Sequence, residues 1–109
     1  MDSEKYLTAL DKVVKKRFPC NSYHIGGYQE AAVCIQSDDV GWVVYNGERG
    51  NQYDKIECDT ILKACLEFIR KLTHNVQEIA SMEEELLFIM MSVNKIKACS
   101  FIINFFYMF

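Results

Sequence analysis

Histidine is scarce in this chain: His24 and His74 are the only two, and each lies beside a turn. Cys20 is near His24 in sequence and a Cys–His nucleophile pair is conceivable, but no orienting carboxylate or oxyanion-loop pattern accompanies it. Both are expected to be ordinary structural residues. The five cysteines (Cys20, Cys34, Cys58, Cys65, Cys99) include no C-x-x-C pair, and the scattered ligand types lack the close spacing that zinc sites use. Gly26-Gly27 is not followed by G-K-[ST] or G-x-x-G, which excludes a phosphate loop. Glu83-Glu84-Glu85 is a poor metal cluster, because consecutive helix positions point in different directions. The expectation is a protein with no catalytic residue, no metal and no cofactor.

Proline is scarcer still, with Pro19 alone, and no low-complexity linker or internal repeat appears. One domain spanning 1–109 is expected, with room for a modest core. Half the residues are apolar and a quarter charged, the balance of a soluble globular chain. The N-terminus has Asp2 and Glu4 where a signal peptide would carry basic residues, and no apolar stretch follows. A cytoplasmic location with five free thiols is the economical expectation.

Basic charge is lacking where it would matter for phosphate. Residues 19–59 carry two basic and seven acidic groups, whereas residues 1–18 carry five basic and three acidic. A nucleic-acid binder clusters Lys and Arg, so no nucleic acid is expected as a partner and a basic protein is. Lys15-Lys16-Arg17 reads instead as the cationic last turn of a helix.

Residues 4–17 place Tyr6, Leu7, Leu10, Val13 and Val14 on one helical stripe that Pro19 ends. Strand candidates follow at Ser22–Ile25, Ala31–Gln36, Trp42–Tyr45 and Tyr53–Cys58, with turns at Gly26-Gly27 and Ser37-Asp38-Asp39. Asn46-Gly47 would suit a two-residue hairpin, but the next apolar run starts late, so a longer loop carrying Glu48 and Arg49 is expected. Asp59 or Thr60 caps a second helix with its stripe at Ile61, Leu62, Cys65, Phe68, Ile69 and Leu72. A third helix begins either at Asn75 or at the box-like Ser81-Met-Glu-Glu84. The fold class is α+β: an N-terminal helix, a three- to four-stranded antiparallel sheet, and two to three C-terminal helices packed on one face.

Strand parity puts Trp42 and Val44 with Ile56 and Cys58 on the face expected beneath the helices. Tyr45, Tyr53, Lys55 and Glu57 fall on the other parity, expected to meet solvent or a partner. Loop charges at Glu48 and Arg49 could equally pair with each other or with water.

Trp42-Val-Val-Tyr45, then Glu48-Arg49-Gly50, a strand, an acidic residue with Thr60, and Ala64-Cys65-x-x-Phe68-Ile69 resemble small immunity proteins of bacterial polymorphic-toxin systems. The match covers residues 41–68. The resemblance implies a cytoplasmic inhibitor that binds one cognate protein toxin, with no catalysis and no cofactor. Joined to the acidic mid-chain, it nominates Glu48, Asp54 and Glu57, with Tyr45, Tyr53 and Arg49, as contacts to a basic, nuclease-like toxin.

The chain departs from that family in the apolar run Ala98–Phe109, where only Ser100 and Asn104 are clearly polar. A membrane span needs about 20 apolar residues, and Asn94, Lys95 and Lys97 interrupt the run from Leu86. A buried final element is expected, with self-association, membrane contact through 98–109, or an adaptor docking a larger assembly through it as rivals. Oligomeric state is left open.

Overall fold

A computed structural model describes residues 2–92. Expectations for 98–109 lie outside those residues. The order is α1 (Asp2–Lys15), β1 (Tyr23–Ile25), β2 (Ala32–Ser37), β3 (Trp42–Glu48), β4 (Asn51–Cys58), α2 (Ile61–Leu72) and α3 (Val76–Ser92). The strands form one sheet in the order β1-β2-β3-β4. This is the α+β arrangement expected, with one correction: the sheet is mixed. β1 runs parallel to β2, Tyr23 beside Val33 and Ile25 beside Ile35, while the other two pairings are antiparallel. A parallel pair cannot be closed by a hairpin. The chain therefore leaves β1 through Gly26 and Gly27, both at positive φ, and crosses back over residues 26–31 to begin β2.

Helix-period stripes supply the core. Leu10, Val13 and Val14 of α1, Ala64, Cys65, Phe68 and Ile69 of α2, and Met82 and Leu86 of α3 form one buried cluster with Tyr23, Ile35 and Val44 of the sheet, α2 being the helix that lies on the strands. The Tyr23 and Phe68 rings meet edge to face at 6.3 Å and 88°. Trp42 and Cys58 pack around this cluster, as strand parity anticipates, together with Ile25 and Val33, whereas Ile56 lines the open groove beside α2.

The helix starts follow from local side-chain acceptors. Thr60 Oγ1 accepts the Lys63 N–H at 3.2 Å and caps α2. Asn75 Oδ1 accepts the Glu78 N–H at 3.0 Å, so α3 takes the earlier of its two candidate starts. Ser81 lies inside that helix, where its Oγ accepts from Arg17 at 3.3 Å. Lys16 and Arg17 both reach Glu85, and Arg70 reaches Glu83 at 3.2 Å, so ion pairs join α3 to the turn that ends α1 and to α2.

Two turns bracket β3. Before it, Asp38 Oδ1 accepts the N–H groups of Val40 and Gly41 at 3.0 and 2.7 Å, as the Ser-Asp-Asp pattern implies. After it, the expected longer loop is absent. Glu48 pairs with Asn51, leaving Arg49 and Gly50 as a two-residue turn with φ of 53° and 79°, the positive pair of a type I′ hairpin. Asn46-Gly47, the sequence's obvious turn signal, lies within β3.

Candidate functional site

The six nominated residues do not form one compact surface. Tyr45 is fully buried, contrary to its expected place on an open face. It belongs to a second apolar cluster with Ala32, Cys34 and Val43 on the sheet face away from the helices. The cover is residues 26–31. Tyr28 stacks on Tyr45 with ring centroids 6.4 Å apart and planes 18° apart. The Tyr45 hydroxyl donates to Gln36 Oε1 on the neighbouring strand. Burial, with Cys34 next to it, pushes the Tyr45 phenol up to about 12. Such a residue is packing, and it drops out of the set of partner contacts.

Gly47 shows how closely that cover lies. A Cβ at this position would meet the Gln29 carbonyl oxygen at 2.3 Å and the Tyr28 ring at 3.1 Å. The Ala31 N–H donates to the Gly47 carbonyl at 2.9 Å, and the Gln29 N–H points at Cys34 Sγ at 3.4 Å. Burial in turn raises the Cys34 thiol above its usual range.

Further along β3 and β4 lies a register shift. Val44 pairs with Ile56 and Asn46 with Tyr53, so Tyr45 alone stands opposite Asp54 and Lys55. Asp54 absorbs the extra residue at φ 50°. The bulge reverses the parity of Tyr53, which shares a side with Asn46 and Val44 rather than with Tyr45. Tyr53 is nonetheless 46% exposed and belongs to neither buried cluster.

Glu48, Arg49, Asp54 and Glu57 are all exposed but spread along the hairpin, with Glu48 and Arg49 at the turn, Asp54 at the bulge midway along β4 and Glu57 toward the far end. From Asn51, opposite Glu48, to Glu57 is roughly 20 Å of strand at about 3.3 Å per residue. Glu57 pairs loosely with Lys55 at 3.7 Å, and Asp59 pairs with Lys63 at 3.0 Å. These charges rim an open groove of about 480 Å³ between β4 and α2, floored by Ile56, Cys58 and Leu66, in which Arg70 also neutralises Glu67 at 3.2 Å. The distal end differs. Among the described residues no ion pair involves Glu48, Arg49 or Asp54; the Asp54 carboxylate accepts only from Asn46 at 3.2 Å. Glu48 and Arg49 do not pair with each other. The turn and the bulge behind it therefore present two carboxylates and one guanidinium free of internal counter-charge, with Tyr53 between them along β4.

Two residues at this end had no signal in the sequence. Glu30 Oε2 accepts the Arg49 N–H at 2.8 Å, and its other oxygen accepts the Gly50 N–H at 3.3 Å. The Tyr28 hydroxyl accepts the same Gly50 N–H at 2.6 Å and donates to Glu30 at 2.5 Å. That Tyr28 donation, with the Arg49 N–H, holds the Glu30 carboxyl below its usual range. These contacts span about twenty positions of chain, and no local pattern encodes them.

As for catalysis, Cys20 is exposed, His24 pairs with Cys34 across β1 and β2, and no hydrogen bond links Cys20 to His24. Among the described residues no three His, Cys, Asp or Glu side chains converge as a metal site would need. Nor is any described helix long and apolar enough to cross a membrane. Compared with protein-family models, curated proteins and solved structures, the chain matches none.

Proposed function

We propose that this chain is a cytoplasmic immunity protein that binds and neutralises one cognate bacterial toxin domain, acting by occlusion rather than by catalysis. The observation that carries the reading is the hairpin turn and the bulge behind it: among the described residues the exposed Glu48, Arg49 and Asp54 side chains take part in no internal ion pair, and the half-exposed ring of Tyr53 lies beside them. Unpaired carboxylates on a projecting turn suit a cationic surface, and a tyrosine beside them offers contact area at low entropic cost. The resemblance of residues 41–68 to polymorphic-toxin immunity proteins points the same way. A nuclease-like toxin, whose cleft must attract phosphate, is the basic partner of choice. Glu48, Arg49, Tyr53 and Asp54 are the primary contacts. Glu57, already near Lys55, contributes at the rim.

The test is co-expression with the product of the open reading frame immediately upstream, scored by growth rescue and by binding kinetics. Replacing both carboxylates (E48K with D54K) is expected to slow association about tenfold at low ionic strength, with the deficit shrinking as salt screens the field. Rescue and kinetics identical to the parent chain would move the contact surface elsewhere.

A further inference from the structure

We infer that Tyr28 and Glu30 are positioning residues for recognition: together they latch the Arg49-Gly50 turn into its binding-competent shape. This rests on the hairpin end being the contact surface proposed above. Arginine has a Cβ that disfavours positive φ, yet Arg49 sits at 53°. Consecutive residues of this conformation aim their N–H groups together, creating a small concavity with a partial positive charge. Here that concavity is filled by the chain's own carboxylate, since Glu30 accepts from Arg49 and Gly50, and the Tyr28 hydroxyl takes the second Gly50 bond.

Strain elsewhere in the same corner supports a built device. Among the described residues, the non-glycine positions at positive φ are Ala31, Arg49 and Asp54. They are the last residue of the covering segment, the turn itself and the bulge behind it. Unfavourable backbone is thus concentrated around one feature, the pattern expected where a local shape serves a use. The latch is also anchored. Tyr28 is held against the buried Tyr45 ring, and the Gln29 carbonyl lies where a Cβ on Gly47 would have to be. Glu30 therefore approaches the turn from a segment fixed to the sheet rather than from a free loop.

The consequence is a division of labour. Backbone groups of the turn are satisfied internally, so the Glu48 and Arg49 side chains carry no holding role and project outward. Without the latch, Arg49 relaxes toward negative φ, the turn samples several shapes, and only a fraction binds. The apparent affinity falls by that fraction.

The experiment compares the parent chain with Y28F, E30A and E30Q in two ways. Amide hydrogen exchange reads the turn without any partner, and stopped-flow binding to the upstream-encoded toxin domain reads recognition. The expected result for E30A and Y28F is exchange at Arg49 and Gly50 at least about tenfold faster, with Val44 and Phe68 unchanged. Association slows by a similar factor while dissociation stays constant, because the altered step precedes contact. E30Q, which keeps an acceptor oxygen, falls between. A merely structural role would instead lower global protection and leave association of the folded fraction untouched. Unchanged exchange at Arg49 and Gly50 overturns the latch. Faster exchange with unaltered association overturns its role in recognition. Failure of the parent chain to bind the toxin at all defeats the functional reading on which that role rests, while the exchange arm still decides whether the latch exists.

Discussion

The two faces of the sheet are buried by different means. On one side, α2 lies against β2, β3 and β4 with α1 and α3 packed against it and each other, and the buried cluster with Tyr23, Ile35 and Val44 is spread over many aliphatic groups. On the other, Ala32, Cys34, Val43 and Tyr45 are covered chiefly by one short irregular segment, through a ring stack, a close backbone approach and a few hydrogen bonds. The first kind of burial is redundant and tolerant. The second relies on single contacts, each of which can be removed by one substitution, and it is the side that shapes the exposed turn.

The largest expected effect lies on the helix side. Phe68→Ala empties the centre of the main cluster and should cost about 3–5 kcal/mol, read as a lowered urea midpoint. If the loss is under about 1 kcal/mol, the helix side is not the dominant core. On the other face, Gly47→Ala drives a methyl into the Gln29 carbonyl and should cost about 1–3 kcal/mol, with the loss of the Tyr28–Tyr45 stack visible in near-ultraviolet dichroism. A neutral G47A variant would mean the cover moves aside freely, and the two faces would then be equally tolerant. The smallest effect is alkaline. Tyr45 is held protonated to about 12, against 10.0 for an ordinary tyrosine. The unfolded chain ionises first, so the stability this group contributes is present below pH 10 and is lost as pH climbs through the interval to about 12. Tyr45→Phe should flatten that part of the stability–pH curve, and at neutral pH should cost about 1 kcal/mol for the lost bond to Gln36. An identical alkaline slope in the variant would assign it to other groups.

Legibility in the sequence followed the same divide. The α2 positions Ile61, Cys65, Phe68, Ile69 and Leu72, the Thr60 cap, the Asp38 turn and the inward Trp42, Val44 and Cys58 all rest on local spacing and are found in the structure, whereas Leu62 lies outside the main cluster and Ile56 lines the groove beside α2. What escaped depends on distant parts of the chain. Gly47 looked like half of an Asn-Gly turn, yet it is glycine because the Gln29 carbonyl passes over it. Arg49 gave no hint of positive φ, since the acceptors that hold its amide arrive from Glu30. Tyr45 had the right parity for the outer face, but parity says nothing about whether a loop returns to cover it. The parallel course of β1 likewise depends on that return. Of the nominated contacts, the charged and exposed members were readable as such; that Glu57 and the turn lie at opposite ends was not, because β4 is longer than its apolar portion.

The extra residue at Asp54 has one more consequence. β4 is the last strand of its sheet, and an unbroken border strand offers its backbone to any neighbouring molecule as a template for runaway stacking. Inserting a left-handed residue midway throws the outward amides out of step and bends the border away from a straight line. A second copy finds no straight border to lie flush along, which disfavours fibre growth from this side.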